Sequence, residues 1–449
     1  MEKIARLTLK YRMARFYVMR AFKKFYRPYL VRGQENIPTD SPVIFTANHL
    51  NALMDALALL SITPKNRSIT FLARADIFKQ KTIARFLTFA KIMPAYRMRD
   101  GLTNLAGNNE SFGHTEAILQ EGNYIGIMPE GAQGEERKMR PLVKGVFRIA
   151  LSAQEPFGAQ PKVKIVPVGI DMGDLIKFGQ PLILNIGKPI EVSQYMESAR
   201  DNVAHAMNLM RDELAQRLHE QTVDIASDEY YEQMETAIYS LDTAQCLVDG
   251  NTPNELNRFD SRRKLAARLC QIEKENPVKM KEIAQKAEVF KQQLKKLKLR
   301  PWLFAVKPYS CGQTILALLG LLISLPAFLI GFITNIIPFV TPVWIRKAIK
   351  VKYSGFYSSI DYGLALISFP LFYLINTLII CSLTTWNLLF FLVLLIVQPL
   401  FGKLAFEWYR IMRKTIGMIS YTHKLKNGNN AMKEAQEAYS YLSKTLLYK

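Results

Sequence analysis

The sequence predicts an α/β domain, a mostly parallel twisted sheet flanked by helices, followed by a C-terminal all-α membrane region. Three observations predict it. Between residues 30 and 222 short β-rich runs alternate with longer helical ones, the pattern of parallel strands joined by crossover helices. After Gly312 the chain becomes densely apolar over lengths that approach the hydrocarbon thickness of a bilayer. Finally, 449 residues exceed what one core usually holds, so at least two structural regions are expected.

Charge narrows the partners. A formal net charge of +21 points to an anionic partner surface: nucleic acid, acidic lipid headgroups or phosphorylated substrates. No RNA-recognition, zinc-finger or helix-turn-helix pattern is present, so the apolar runs decide for lipid and no nucleic acid is expected. Cys246, Cys270, Cys311 and Cys381 are widely scattered, without a C-x-x-C or a histidine at ligand spacing. They support neither a disulfide framework nor a metal site, and they fit a cytoplasm-facing soluble part. The first residues lack the apolar core and small-residue cleavage site of a signal peptide and are expected to stay on the protein.

Residues 1–29 interleave Lys3, Arg6, Lys10, Arg12, Arg15, Arg20, Lys23 and Lys24 with Leu7, Leu9, Phe16, Tyr17, Phe22 and Phe25, and Glu2 is their only acid. This is a basic amphipathic helix suited to a membrane surface, its cationic stems reaching toward anionic lipid phosphates. Residues 30–222 hold the strand candidates VIFTA, SITFLA, YIGIMP, VKIVPVGI and LILNIGKPI, with helical runs NALMDALALLS, KTIARFLTFAK and VKGVFRIALSA among them. Residues 223–311 form a polar helical region whose basic end, Lys291 to Arg300, is expected against the membrane surface. Residues 312–406 are read as membrane hairpins. The first would turn at SLPAFLIG and the second at CSLTTWN, and the basic clusters Lys295 to Lys307, Arg346 to Lys352 and Arg410 to Lys414 are expected on the cytoplasmic side, so that both hairpins dip into the membrane from that face. Residues 407–449 form a polar helical tail.

Within the α/β part, the run from Pro42 to Leu60 stands out. A short apolar strand leads into Asn48 and His49, and an apolar helical pattern then carries Asp55. Such a pair is either a hydrogen-bonded structural contact or a base that takes the proton of a hydroxyl while the carboxylate fixes its tautomer. Arg97 and Glu130 also follow strand candidates, and chemistry in parallel sheets collects beyond the carboxyl ends of the strands. All three residues are therefore expected on one sheet edge.

Four blocks in order resemble the glycerolipid acyltransferase family, which includes glycerol-3-phosphate and lysophosphatidate acyltransferases. They are Asn48-His49 with Asp55; IMPAYRMRD; MPEGAQGEERKMRPLVKGVFRIAL; and IVPVGI. The resemblance covers roughly residues 29–193 and implies His49 and Asp55 as the catalytic pair and Arg97 as the ligand of the acceptor phosphate. Pro129, Glu130 and Gly131 match the P-E-G that opens a loop near the acceptor. Asn48 belongs to the same site, and Lys144 and Arg137 are further candidates for phosphate contacts. No cofactor is implied; acyl-CoA or acyl-carrier protein is the co-substrate.

The commonest family spacing is H-x4-D, whereas this chain has H-x5-D. On one continuous helix the acid would lie roughly 140° round in the first case and roughly 240° in the second, so neither brings the pair together. The histidine is therefore expected in a loop, with a helix starting near Asn51 and one extra loop residue. Fungal glycerol-3-phosphate/dihydroxyacetone-phosphate acyltransferases share the wider spacing, the PL-x-x-G run and C-terminal apolar segments. This resemblance implies glycerol 3-phosphate as acceptor. Lysophosphatidate or another lysolipid is the alternative acceptor, and a non-catalytic membrane-binding protein is the remote one.

Overall fold

The computed structural model describes residues 4–95, 105–160, 162–384 and 386–448. The chain divides into two compact units. Unit 1 comprises residues 1–224 with 353–359, and unit 2 comprises 225–352 with 360–449.

Unit 1 opens with α1 (Leu9–Phe25), capped by the Thr8 hydroxyl, which accepts from the Tyr11 amide at 3.3 Å. There follow β1 (Tyr29–Arg32), β2 (Val43–Ala47), α2 (Ala52–Ile62), β3 (Ile69–Arg74), α3 (Lys81–Phe89) and β4 (Ile92–Ala95). Then come α4 (Leu105–Gln120), β5 (Tyr124–Ile127), α5 (Gly145–Gln154), β6 (Lys164–Met172), β7 (Leu182–Ile186), β8 (Ile190–Glu191), α6 (Met196–Asp201) and α7 (Val203–Gln221). The strands form one sheet in the order β1-β7-β6-β2-β5-β3-β4, with β8 on β6. All pairings are parallel except those of β6 with β7 and β8. β2 sits between β5 and β6, in register Thr46 with Ile127 and Ala47 with Val168. Being covered on both faces, it reads as the unbroken apolar run VIFTA, all of it buried. The predicted strands and helices are present. β1 occupies residues assigned partly to the N-terminal helix; that helix ends at Phe25, ahead of Pro28, whose ring cannot continue it.

Unit 2 contains α8 (Tyr231–Val248), α9 (Glu255–Glu275), α10 (Pro277–Leu297), α11 (Cys311–Ala348), α12 (Tyr357–Leu383, of which residues 357–359 belong to unit 1), α13 (Leu388–Lys426) and α14 (Asn430–Leu446). The polar region and the polar tail, expected as separate pieces, pack as one bundle. Phe290 meets Phe304 at a centroid distance of 5.0 Å and Phe304 meets Tyr421 at 5.3 Å. The Lys424 ammonium donates to the Leu297 carbonyl at 2.7 Å.

Three helices, 311–348, 354–383 and 388–426, are long and apolar enough to cross a membrane. The turn between α12 and α13 falls where expected, but the predicted first hairpin does not exist: α11 runs unbroken through SLPAFLIG with Pro326, Pro338 and Pro342 inside it. A proline removes one N–H and frees the carbonyl four residues back. For two of the three prolines a side chain of α12 takes over that carbonyl. The Asn376 amide donates to the Thr334 carbonyl at 3.1 Å, opposite Pro338, and the Ser368 hydroxyl donates to the Pro338 carbonyl at 3.1 Å, opposite Pro342. With those two carbonyls satisfied, the apolar helix has no reason to end at Pro338 or Pro342.

Candidate active site

The site grows from the carboxyl end of β2. β2 ends at Ala47, and past it the Asn48 carboxamide takes over the ladder. Its Nδ2 donates to the Ile170 carbonyl at 3.0 Å and its Oδ1 accepts from the Ile170 amide at 2.7 Å. Asn48 is buried and joined to β6, so the structure gives its side chain a scaffolding position.

His49 follows in the loop and α2 starts at Ala52 with Asn51 as its N-cap, as the spacing predicts. Ala52, the first residue of α2, has a φ of 38°, in the left-handed region that side chains avoid. The result is a closed turn around one carboxylate oxygen. Asp55 Oδ2 lies 2.8 Å from His49 Nδ1 and accepts from the amides of Leu50 at 2.9 Å and Asn51 at 2.7 Å. The Asp55 side chain is 0% exposed and that of His49 is 20% exposed, so the carboxylate is sealed while the ring keeps an open edge. A carboxylate facing Nδ1 fixes the proton there and leaves Nε2 as the proton acceptor.

The P-E-G loop follows β5, the neighbour of β2, so Glu130 arrives beside His49. Glu130 Oε1 accepts from the His49 amide at 3.2 Å and Oε2 accepts from Arg140 Nε at 2.7 Å. Arg140 also donates to the His49 carbonyl at 3.1 Å, as does the Gly134 amide at 3.0 Å. Glu130 and Arg140 thus hold both main-chain groups of the histidine. Burial pushes the Glu130 carboxyl up, against the opposing pull of the Arg140 guanidinium and the His49 amide. Gly131 turns with φ of 70°, where a Cβ would also stand 3.2 Å from Val143 Cγ1. Pro129 is buried, and its carbonyl accepts from the Val143 amide at 2.7 Å.

The other candidates separate. Lys144 is exposed at the start of α5. Arg137, a candidate for phosphate contact, is instead buried, with its guanidinium on Asp171 and on the Met172 and Gly173 carbonyls at the end of β6. Arg97 lies outside the described residues. Arg140 was missed: one of several cations in a charged loop, it is distinguished only by its partners. A second pair also went unnoticed. His219 and Asp224 have the H-x4-D spacing, and His219 Nδ1 is 2.8 Å from Asp224 Oδ2. That pair sits at a helix end, not a strand end, with His219 in the last turn of α7; its histidine is 53% exposed, and Asp224 Oδ1 accepts from the Met139 amide at 2.9 Å, fastening the P-E-G loop. Among the described residues no group of three His, Cys, Asp or Glu is placed to hold a metal.

A histidine braced by a buried carboxylate, at the carboxyl edge of a parallel sheet, is an arrangement that can take the proton of a hydroxyl. Residues 29–171 match the Acyltransferase family model. Relatives agree at modest identity. Glycerol-3-phosphate O-acyltransferase 2 of Saccharomyces cerevisiae is 26% identical over 200 residues, covering 42% of this chain and 25% of the yeast protein. Glycerol-3-phosphate O-acyltransferase 1 of the same yeast is 22% identical over 283 residues, covering 45% of this chain and 37% of its own length. The match therefore spans well under half of these relatives. Among solved structures, the 1-acyl-sn-glycerophosphate (LPA) acyltransferase from Thermotoga maritima aligns at 21% identity over 46% of this chain and 80% of that one, with a TM-score of 0.32. The fold assignment rests on the strand order itself.

Proposed function

We propose that this protein is a membrane-bound O-acyltransferase that moves a fatty acyl group from acyl-CoA or acyl-carrier protein to a hydroxyl of glycerol 3-phosphate. The observation that carries the reading is the His49–Asp55 contact at 2.8 Å with the carboxylate sealed and the ring part open. His49 Nε2 takes the hydroxyl proton as the oxygen attacks the thioester carbonyl. The tetrahedral intermediate then expels the thiolate, which takes the proton back from the imidazolium. Asp55 holds the ring and offsets its transient charge. Glu130 and Arg140 fix the histidine main chain, Arg97 binds the acceptor phosphate, and Lys144 adds positive charge nearby. The H-x5-D spacing and the yeast relatives' names support glycerol 3-phosphate as acceptor. The basic helix α1 and the apolar helices hold the domain at an anionic bilayer surface on the cytoplasmic side.

The test is thiol release by the full chain in nanodiscs with and without phosphatidylglycerol, each acceptor offered alone. Glycerol 3-phosphate is expected to support release, most strongly with the anionic lipid, and His49→Ala is expected to abolish it in a protein that still folds. Release with lysophosphatidate alone would reassign the acceptor. Undiminished activity of the His49 variant would sink the mechanism.

A further inference from the structure

Residues 353–359 are remote from the catalytic loops in sequence, with the preceding residues 225–352 all in the other unit, yet they belong to unit 1. They lie against both loops that carry the site. The Ser354 hydroxyl donates to Glu135 in the P-E-G loop, and a Cβ on Gly355 would stand 2.7 Å from Gln133 Nε2. The Ser358 hydroxyl, in the first turn of α12, donates to Asn51 Oδ1 at 2.7 Å. Ser358 is 1% exposed and Asn51 0% exposed.

Asn51 is the residue through which this contact reaches the chemistry. Its amide N–H donates to Asp55 Oδ2 at 2.7 Å, beside the His49 contact on the same oxygen. Its Nδ2 donates to the Leu175 carbonyl at 2.6 Å, so the carboxamide is held from two sides. It also immediately precedes Ala52, where the backbone is left-handed. A strained turn persists only where its surroundings over-determine it. Without the Ser358 hydroxyl, the Asn51 oxygen becomes a buried acceptor lacking that donor, and the carboxamide is held only through its Nδ2, by the Leu175 carbonyl and Met172 Sδ.

We propose that Ser358 is a positioning residue for the His49–Asp55 pair, acting through Asn51, so that the first turn of α12 sets the geometry of the base. The proposal rests on the reading of His49 as general base. Ser358→Ala removes one hydroxyl, and Ser358→Thr restores it. Ser358→Ala is expected to lower kcat about three- to tenfold with the acceptor KM unchanged, the scale of one buried hydrogen bond. Amide hydrogen exchange at Leu50 and Asn51 is expected to quicken by a similar factor, and Ser358→Thr is expected to recover both. Wild-type kcat, wild-type exchange, or a change in one without the other overturns the proposal. If both move as expected while His49→Ala remains active, the clamp stands and the reading of His49 falls.

Discussion

Asp55 accepts three hydrogen bonds on one oxygen, while Oδ1 is buried without a partner. Asp55→Asn therefore has no comfortable orientation. Its NH₂ group either faces the Leu50 and Asn51 amides or takes the Oδ1 position as a buried donor. We expect kcat to fall by about a hundredfold or more with a far smaller change in acceptor KM, measured by steady-state thiol release. His49 and Asp55 were legible because a strand, a histidine and an acid follow each other within a few residues. Glu130 was legible from P-E-G, but its contacts were not: a carboxylate that braces a main chain reads the same as one that meets a ligand. Asn48 and Arg140 were harder still. Each is defined by a partner more than ninety residues away, Ile170 for Asn48 and the His49 carbonyl for Arg140. The pair His219–Asp224 marks the opposite hazard, since it has the commoner spacing and equal geometry without a strand end beside it.

At the level of elements, α1 was legible as amphipathic but not as two-sided. Tyr11, Phe22 and Phe25 are buried, while Leu9, Met13 and Phe16 are exposed on the same helix. Its cations divide as well. Arg15, read as reaching toward lipid, turns inward and donates to the Thr63 carbonyl at 2.7 Å and the Arg67 carbonyl at 3.2 Å, just beyond the end of α2. Nothing in the periodicity separates an arginine that faces solvent from one that meets carbonyls. The N-terminal segment is fastened by Lys91, just before β4. Its ammonium donates to the carbonyls of Ile4 and Arg6 and lies 4.6 Å from the centre of the Tyr11 ring. Burial, with the Arg15 charge adding to it, lowers the Lys91 pKa from 10.5 to about 8. Between those two values the unfolded chain holds the proton more tightly than the folded one, so the Lys91 contribution makes stability rise as pH increases through that window. Comparing thermal unfolding of wild type and Lys91→Met from pH 7 to 10.5 isolates it. The gap between the two should change in favour of the wild type as pH rises, and a gap independent of pH would refute the shift.

For the molecule as a whole, the packing of unit 2 constrains the membrane topology. α10 and α14 lie in one bundle, joined by Gln293 to Glu434 at 2.5 Å and Tyr441 to Glu282 at 2.9 Å. The chain therefore enters α11 and leaves α13 on the same side. Three apolar helices between two ends on one side permit only an even number of complete crossings, hence at most two. At 38 residues α11 is about 57 Å long, well beyond the roughly 30 Å of a hydrocarbon core. Single cysteines replacing Lys281 and Lys433, in a background without the native cysteines, are expected to react with an impermeant maleimide from the same face of sealed vesicles. Labelling from opposite faces would contradict the bundle. The sequence displayed the apolar runs plainly but not the continuity of α11 through Pro338 and Pro342, because a proline reads as a break until the donor that serves the carbonyl it frees is known.

That replacement makes the order of substitutions matter. Ser368→Ala strands the Pro338 carbonyl only while Pro342 is present, since in the Pro342→Ala background the restored amide reaches the same oxygen. A double-mutant cycle read by thermal unfolding should therefore give a cost of about 1 kcal/mol for Ser368→Ala alone and almost none after Pro342→Ala. Additive costs would show that the hydroxyl does not serve that carbonyl. Proline and serine form a one-way pair: the serine becomes dispensable once the proline has gone, but while the proline stays the serine cannot be dropped without loss.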